Sequence, residues 1–206
     1  MTADDIPSIL EIERDSQPEP WSRELFLEEI DRPQAQMLVA RTVQAPPGGC
    51  FRNRLKSFSV VPTKAGIRES CAPVDFGLHR NDLSQTLSDR LLGYICFWQV
   101  AGEIQILNIA VHKAYRGLGL GRTLLRQALF YGYSIKAQVA VLEVRRNNAA
   151  ARGLYESLGF KVIGERPNYY GLREAAIIME FEFGAPSNEY MRIMHESFDR
   201  AGSDPI

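Results

Sequence analysis

Apolar residues follow two alternating patterns along this chain, continuous runs and helically spaced positions. Continuous runs rich in β-branched residues predict buried strands, and they cover residues 36–41, 91–100, 104–111, 138–144, 160–164 and 175–181. Helical spacing appears twice before the first run, again after residue 122, and between residues 148 and 158. The predicted order is two helices, three strands, a helix, a strand, a helix and two strands. This order indicates an α/β fold with a mixed central β-sheet flanked by helices.

Local signals mark where two of these helices begin. Ser22 is a favourable N-cap residue, and Trp21 and Phe26 stand at the spacing of a hydrophobic staple around it. Asn147 or Asn148 is expected to cap the helix that ends near residue 158. The pattern does not decide between the two asparagines.

The segment from Gln44 to Asp89 interrupts the alternation of strands and helices. It combines a Pro-Pro-Gly-Gly loop with a basic patch of Arg52, Arg54 and Lys56. A loop of this length is uncommon in a compact domain. We interpret it as an insertion between early strands that forms a surface excursion, with a substrate lid or a partner surface as the alternative.

The composition indicates one globular domain. The chain has 206 residues, of which 45% are hydrophobic and 24% charged, enough for a sizeable core. We assign residues 1–183 to this domain and residues 184–206 to a C-terminal extension, whose apolar spacing predicts an amphipathic helix. The net charge of −1 gives no indication of a nucleic-acid or membrane partner.

The cysteines and the absence of long apolar runs indicate in which cellular compartment the protein is expected. Cys50, Cys71 and Cys96 are odd in number and widely spaced, which argues against a disulfide framework or a zinc ribbon. No apolar signal core and no run of about eighteen apolar residues is present. We therefore expect a soluble, cytoplasmic protein without a metal site.

A glycine-rich stretch between a predicted strand and a predicted helix is the most distinctive feature of the sequence. It runs from Arg116 through Gly117, Gly119 and Gly121 to Arg122. Glycines let the backbone approach a ligand closely, and the N–H groups of a helix N-terminus favour an anion, most often a phosphate. The two arginines would add charge-assisted hydrogen bonds. We interpret the stretch as a cradle for a pyrophosphate.

Two other phosphate-binding loops fit this stretch poorly. A Walker loop needs a lysine after its last glycine, but Gly121 is followed by Arg122 and Thr123. A Rossmann fingerprint needs a different glycine spacing and an earlier position in the chain. A glycine-rich turn without a ligand remains the alternative.

Three side chains with complementary chemistry lie at the end of the next predicted strand and in the helix after it. Glu143 stands near the end of that strand, and Asn148 and Tyr155 are seven residues apart, so they share one helical face. A carboxylate, a phenol and an amide offer a base, an acid and an anchor for a cofactor. Glu103, at a predicted hairpin turn, is the rival base.

These motifs, taken together and in this order, resemble the RimI family of the GNAT acyltransferase superfamily. The resemblance rests on Asn-Ile-Ala-Val at 108–111, the Arg116–Arg122 loop, Leu-Glu-Val-Arg at 142–145, Asn-Ala-Ala-Ala at 148–151, Leu-Tyr-Glu-Ser-Leu-Gly-Phe at 154–160, Asn-Tyr-Tyr at 168–170 and Ala-Ile-Ile-Met at 176–179. It implies the GNAT fold and Nα-acetylation of the N-terminal alanine of a ribosomal small-subunit protein. The 44–89 segment and the C-terminal extension depart from the family pattern and bear on substrate range.

The resemblance also implies a role for each site residue. Glu143 would be the general base and Tyr155 the general acid, with acetyl-CoA as the acetyl donor. Residues 109–111 would bind the pantetheine, residues 117–122 the pyrophosphate, and Asn148 would lie near the thioester arm. The full set of expected donor-binding residues is Ile109, Ala110, Val111, Arg116, Gly117, Leu118, Gly119, Leu120, Gly121, Arg122 and Asn148.

Two other functions stay open from the residues alone. The same fold can acetylate a lysine or a small amine, but an α-amine titrates near ~8 and a lysine near ~10.4, so a glutamate base suits the α-amine better. A non-catalytic acyl-CoA-binding module is disfavoured by the Glu143 and Tyr155 pair. We interpret Tyr169 and Tyr170 as walls of a peptide slot, with simple loop packing as the alternative.

Overall fold

The computed structural model describes residues 3–42, 58–62, 90–169 and 174–184, and for 58–62 the backbone alone. The helices in this part of the chain are α1 (Ile6–Ser16), α2 (Arg23–Asp31), α3 (Leu120–Ser134) and α4 (Ala149–Glu156), with short 3₁₀ turns at Ala3–Asp5 and Lys113–Tyr115. The strands are β1 (Ala35–Thr42), β2 (Phe58–Pro62), β3 (Leu91–Val100), β4 (Glu103–Val111), β5 (Val139–Arg145), β6 (Lys161–Arg166) and β7 (Ala176–Glu182). No helix in the described ranges is long and apolar enough to cross a membrane.

The strands hydrogen-bond in the order β2-β1-β3-β4-β5-β7-β6. β4 and β5 run parallel, whereas β1 with β2, β5 with β7, and β6 with β7 run antiparallel. The predicted α/β fold with a mixed sheet and flanking helices is confirmed.

β2 is a strand that the sequence pattern missed. It lies inside the predicted 44–89 insertion and pairs with β1 from Leu38 opposite Pro62 to Thr42 opposite Phe58. A strand of five residues is defined here by its pairing with another segment, and the local spacing of apolar residues does not reveal such a pairing. The rest of the predicted insertion and the amphipathic helix expected after residue 184 lie outside the described residues.

The chain divides into two compact units, one of residues 1–97 and 108–128, the other of residues 98–107 and 129–206. In the first unit, the Phe26 ring packs between Trp21 (centroids 5.3 Å apart) and Tyr94 (5.5 Å). In the second unit, Phe181 packs against Phe160 (5.5 Å) and Phe183 (5.1 Å). Each unit therefore has an aromatic cluster in its own core.

The predicted helix caps are present. The Ser22 hydroxyl accepts a hydrogen bond from the Leu25 N–H at 3.3 Å, and the Trp21–Phe26 ring contact forms the predicted staple. Asn148, not Asn147, caps α4, since its side chain accepts from the Ala151 N–H at 3.1 Å.

Gly93 and Gly153 differ in the space around them, so alanine at each position should change stability in opposite directions. A Cβ on Gly93 would lie 2.8 Å from the Ala110 carbonyl oxygen, so Gly93→Ala should destabilise by about 1–3 kcal/mol because the β4 backbone must move. A Cβ on Gly153 would meet nothing within 4 Å, and Gly153→Ala should stabilise by up to about 1 kcal/mol. Urea unfolding measures the change in the free energy of unfolding for both variants. Equal changes in the two variants would contradict this prediction.

Candidate active site

The glycine-rich stretch forms a turn that leads directly into α3. Gly117 and Gly119 have φ values of 77° and 81°, a left-handed conformation that favours glycine. The Thr123 N–H donates to the Gly119 carbonyl at 3.0 Å, which is the first bond of the helix. The N–H groups of residues 120–122 therefore precede the first intrahelical bond, and N–H groups in this position can bind an anion. The helix begins at Leu120, three residues before the expected start.

Arg116 connects this turn to other parts of the first unit through hydrogen bonds. Its Nε donates to the Val111 carbonyl at 3.0 Å, and its Nη2 donates to the Asp15 carbonyl and the Ser16 hydroxyl, both at 2.9 Å. Lys113 forms an ion pair with the Asp15 carboxylate at 3.0 Å, and its hydrogen bond lowers the pKa of Asp15. The sequence predicts Arg116 as a donor-binding residue, and in the structure its bonds join the end of β4 to the last turn of α1.

A buried carboxylate links the same turn of α1 to two strands. Glu13 is fully buried, and its Oε1 accepts from the Trp21 N–H at 3.0 Å and from Asn108 Nδ2 at 2.9 Å. Its Oε2 accepts from the Tyr94 hydroxyl, and Gln17 donates to Asn108 Oδ1 at 3.0 Å. Burial, and then the charge of Glu13, raise the pKa of Tyr94 well above its ordinary value.

Glu13 appears in none of the motifs above. The sequence does indicate that Glu13 is buried, since Ile6, Ile9 and Glu13 follow the i, i+3, i+7 spacing of one helix face. A glutamate in line with two buried isoleucines must find hydrogen-bond donors in the core.

Glu143 lies near the carboxyl end of β5 in the second unit and has two side-chain partners there. Arg166 Nη1, on β6, is 2.8 Å from its Oε1. The Tyr169 hydroxyl donates to the same carboxylate, and this hydrogen bond is the largest cause of the raised pKa of Tyr169. The Arg166 guanidinium also lies 5.7 Å from the centre of the Tyr169 ring. Tyr170, the other tyrosine of the predicted slot, lies outside the described residues.

Asn148 is the N-cap of α4 in the same unit, and Tyr155 lies in the last turn of that helix. Tyr155 is 6% exposed, and its ring lies 5.9 Å from that of Phe160. Asn148 is exposed and caps the helix, so its amide has a structural role whether or not it binds a ligand.

Glu103, the rival base, stands far from Glu143 along the sheet. Glu103 opens β4 and pairs in register with Val139, four residues before Glu143. At about 3.3 Å per residue, the two positions are about 13 Å apart along the strands. The two carboxylates therefore stand at separate positions along the paired strands, and they remain distinct candidates for the base. In the described part of the chain, no group of three or more His, Cys, Asp or Glu side chains is arranged to hold a metal ion.

Comparison with known proteins shows which family this chain resembles. A model of the Acetyltransferase (GNAT) family matches residues 74–160. The N-alpha-acetyltransferase RimI of Mycobacterium tuberculosis is 42% identical over 131 residues, which are 61% of this chain and 78% of that protein. A Bacillus subtilis relative is 44% identical over 80 residues, so the match spans 39% of this chain and about half, 53%, of that relative.

One solved structure matches almost the whole length. The crystal structure of the ribosomal-protein-S18-alanine N-acetyltransferase from Escherichia coli aligns with a TM-score of 0.57 and 26% sequence identity. The alignment covers 91% of this chain and 94% of that chain.

The buried Glu13 carboxylate should contribute strongly to stability. Glu13→Ala leaves the Tyr94 hydroxyl, the Asn108 amide and the Trp21 N–H without their acceptor, and we expect a loss of about 3–5 kcal/mol. Glu13→Gln keeps the shape and should cost less. The free energy of unfolding in urea measures the loss, with exposed Glu11→Ala on the same helix as the control. A loss no larger than that of the control would contradict this assignment.

Proposed function

The chain belongs to the RimI type of the GNAT acetyltransferase family, and we propose that it acetylates the α-amine of a protein N-terminus with acetyl-CoA as donor. The observation that carries the proposal is the 42% identity to the N-alpha-acetyltransferase RimI over 78% of that protein. The name of the Escherichia coli structure points to the N-terminal alanine of ribosomal protein S18 as the class of acceptor.

We assign donor binding to the turn before α3 and the end of β4. The pyrophosphate would bind the N–H groups of residues 117–122, where the left-handed glycines and the helix start support an anion site. Residues 109–111 would bind the pantetheine, and Asn148 would lie near the thioester arm. Arg116 would act on the donor indirectly, by fixing the turn through its bonds to Val111, Asp15 and Ser16.

We assign the proton transfers to Glu143 and Tyr155. The amine nitrogen attacks the thioester carbonyl carbon and the carbon–sulfur bond breaks. Glu143, directly or through water, takes the proton that the amine loses, and Tyr155 protonates the departing thiolate of CoA. Deprotonating a lysine at neutral pH costs roughly 3 kcal/mol more than deprotonating an α-amine, so this arrangement suits an N-terminus. General acid–base assistance of this kind contributes roughly 10²- to 10⁴-fold to the rate.

Hexapeptides test the proposal directly. One begins with alanine, one with another residue, and one has a blocked N-terminus and an internal lysine. We expect the wild-type protein to acetylate the alanine peptide on its α-amine, mapped by fragment masses. Acetylation of the blocked peptide alone, or of a polyamine instead, would show a side-chain or small-amine acetyltransferase.

A carboxylate in the donor turn should weaken acetyl-CoA binding. In Gly117→Asp the new charge would face the pyrophosphate, and because like-charge contacts cost several kcal/mol, affinity should fall about tenfold or more. Gly102→Asp is the matched control, since Gly102 has a similar φ (83° against 77°) and both positions have nothing within 4 Å of a Cβ. Calorimetry measures both affinities. Equal affinity in the two variants would contradict the assigned donor site.

Glu143 and Tyr155 should respond differently to pH. Glu143→Gln should lower kcat with little change in acetyl-CoA affinity, and its remaining activity should rise towards about pH 8, where an α-amine loses its proton unaided. Tyr155→Phe should lower kcat without that recovery. The pH dependence of kcat measures both. Wild-type turnover by Glu143→Gln at neutral pH, together with an inactive Glu103→Gln, would reassign the base.

A further inference from the structure

Arg166 contacts the carboxylate to which we assign the proton transfer, although it appears in none of the motifs above. It lies at the end of β6, opposite Ala176 of β7. We propose that Arg166 is a positioning residue for Glu143, holding its carboxylate in the orientation that accepts the proton of the acceptor amine. This inference rests on the proposed function, since it assumes that Glu143 is the base.

The contacts around Glu143 form a closed cluster of three side chains. Arg166 Nη1 lies 2.8 Å from Glu143 Oε1, and the Tyr169 hydroxyl donates to the same carboxylate. Arg166 also lies over the Tyr169 ring, with 5.7 Å between the guanidinium carbon and the ring centre. Because each member contacts the other two, none can rotate without losing two contacts.

The cluster leaves the carboxylate able to accept a proton. An ionised carboxylate offers about four acceptor positions, and Arg166 and Tyr169 engage only some of them. The Glu143 side chain is 25% exposed, so an amine or a bridging water can approach it. A small misplacement of a reacting group can be costly in rate, so fixing the carboxylate favours transfer.

The exposure of Arg166 argues for positioning over stability. Its side chain is 56% exposed and that of Glu143 is 25% exposed, and exposed ion pairs contribute little to folding. The ion pair of Arg146 with Glu165 is similarly exposed, at 59% and 35%, and its carboxylate belongs to Glu165 and not to Glu143. Arg146→Gln is therefore a matched control that removes an exposed arginine pair close by.

A double-mutant cycle on kcat tests whether Arg166 acts through Glu143. At saturating acetyl-CoA and alanine peptide, Arg166→Gln should lower kcat about two- to fivefold, with the peptide KM changed less than twofold. Arg166→Lys, which keeps the charge, should recover part of the loss. In the Glu143→Gln background, Arg166→Gln should have no further effect, whereas Arg146→Gln should have the same small effect in both backgrounds.

Other outcomes overturn the inference. Equal losses from Arg166→Gln in both backgrounds would mean that Arg166 acts independently of Glu143. A raised peptide KM with unchanged kcat would mean that it contacts the acceptor instead. An unchanged kcat and KM would mean that it has no role in transfer. The proposed function is judged separately, by whether the wild-type protein acetylates the peptide and whether Glu143→Gln slows it.

Discussion

The burial of Glu13 is the constraint on which the first unit depends. A buried carboxylate is costly unless donors surround it, and here they come from the Tyr94 hydroxyl, the Asn108 amide and the Trp21 N–H. These donors belong to β3, to β4 and to the segment before α2. One side chain of α1 thus joins a segment eight residues further on to two strands 81 and 95 residues away. None of these parts can shift without leaving a buried polar group unpaired.

This constraint reaches the donor turn through β4. Side chains alternate between the two faces of a strand, so fixing Asn108 against α1 also fixes which face Ala110 presents, and a slip of one residue would reverse both. Beyond Val111 the chain returns to the same end of α1, where Arg116 bonds to the Asp15 carbonyl and the Ser16 hydroxyl. The last turn of α1 therefore holds the glycine-rich turn in place through its hydrogen bonds with Arg116.

Sequence reasoning succeeded where a property is local and failed where it depends on a distant partner. The Ser22 cap and the glycine-rich turn were predictable, because capping and left-handed backbone are set by a few adjacent residues. The partners of Arg116 and the pairing of β2 were not predictable, because in each case the partner is a segment outside the local sequence. Arg166 was missed for the same reason, since it follows Glu143 by 23 positions in the sequence. The two side chains come into contact because β7 pairs with both β5 and β6 in the sheet.

We propose that Glu143 receives the proton of an α-amine while acetyl-CoA binds the glycine-rich turn. A crystal structure with a conjugate of CoA and an alanine-first peptide tests it most directly. We expect the pyrophosphate on the N–H groups of residues 117–122, and the peptide nitrogen within hydrogen-bond reach of the Glu143 carboxylate or one water away from it. A peptide nitrogen beside Glu103, or a pyrophosphate bound elsewhere on the chain, would contradict it.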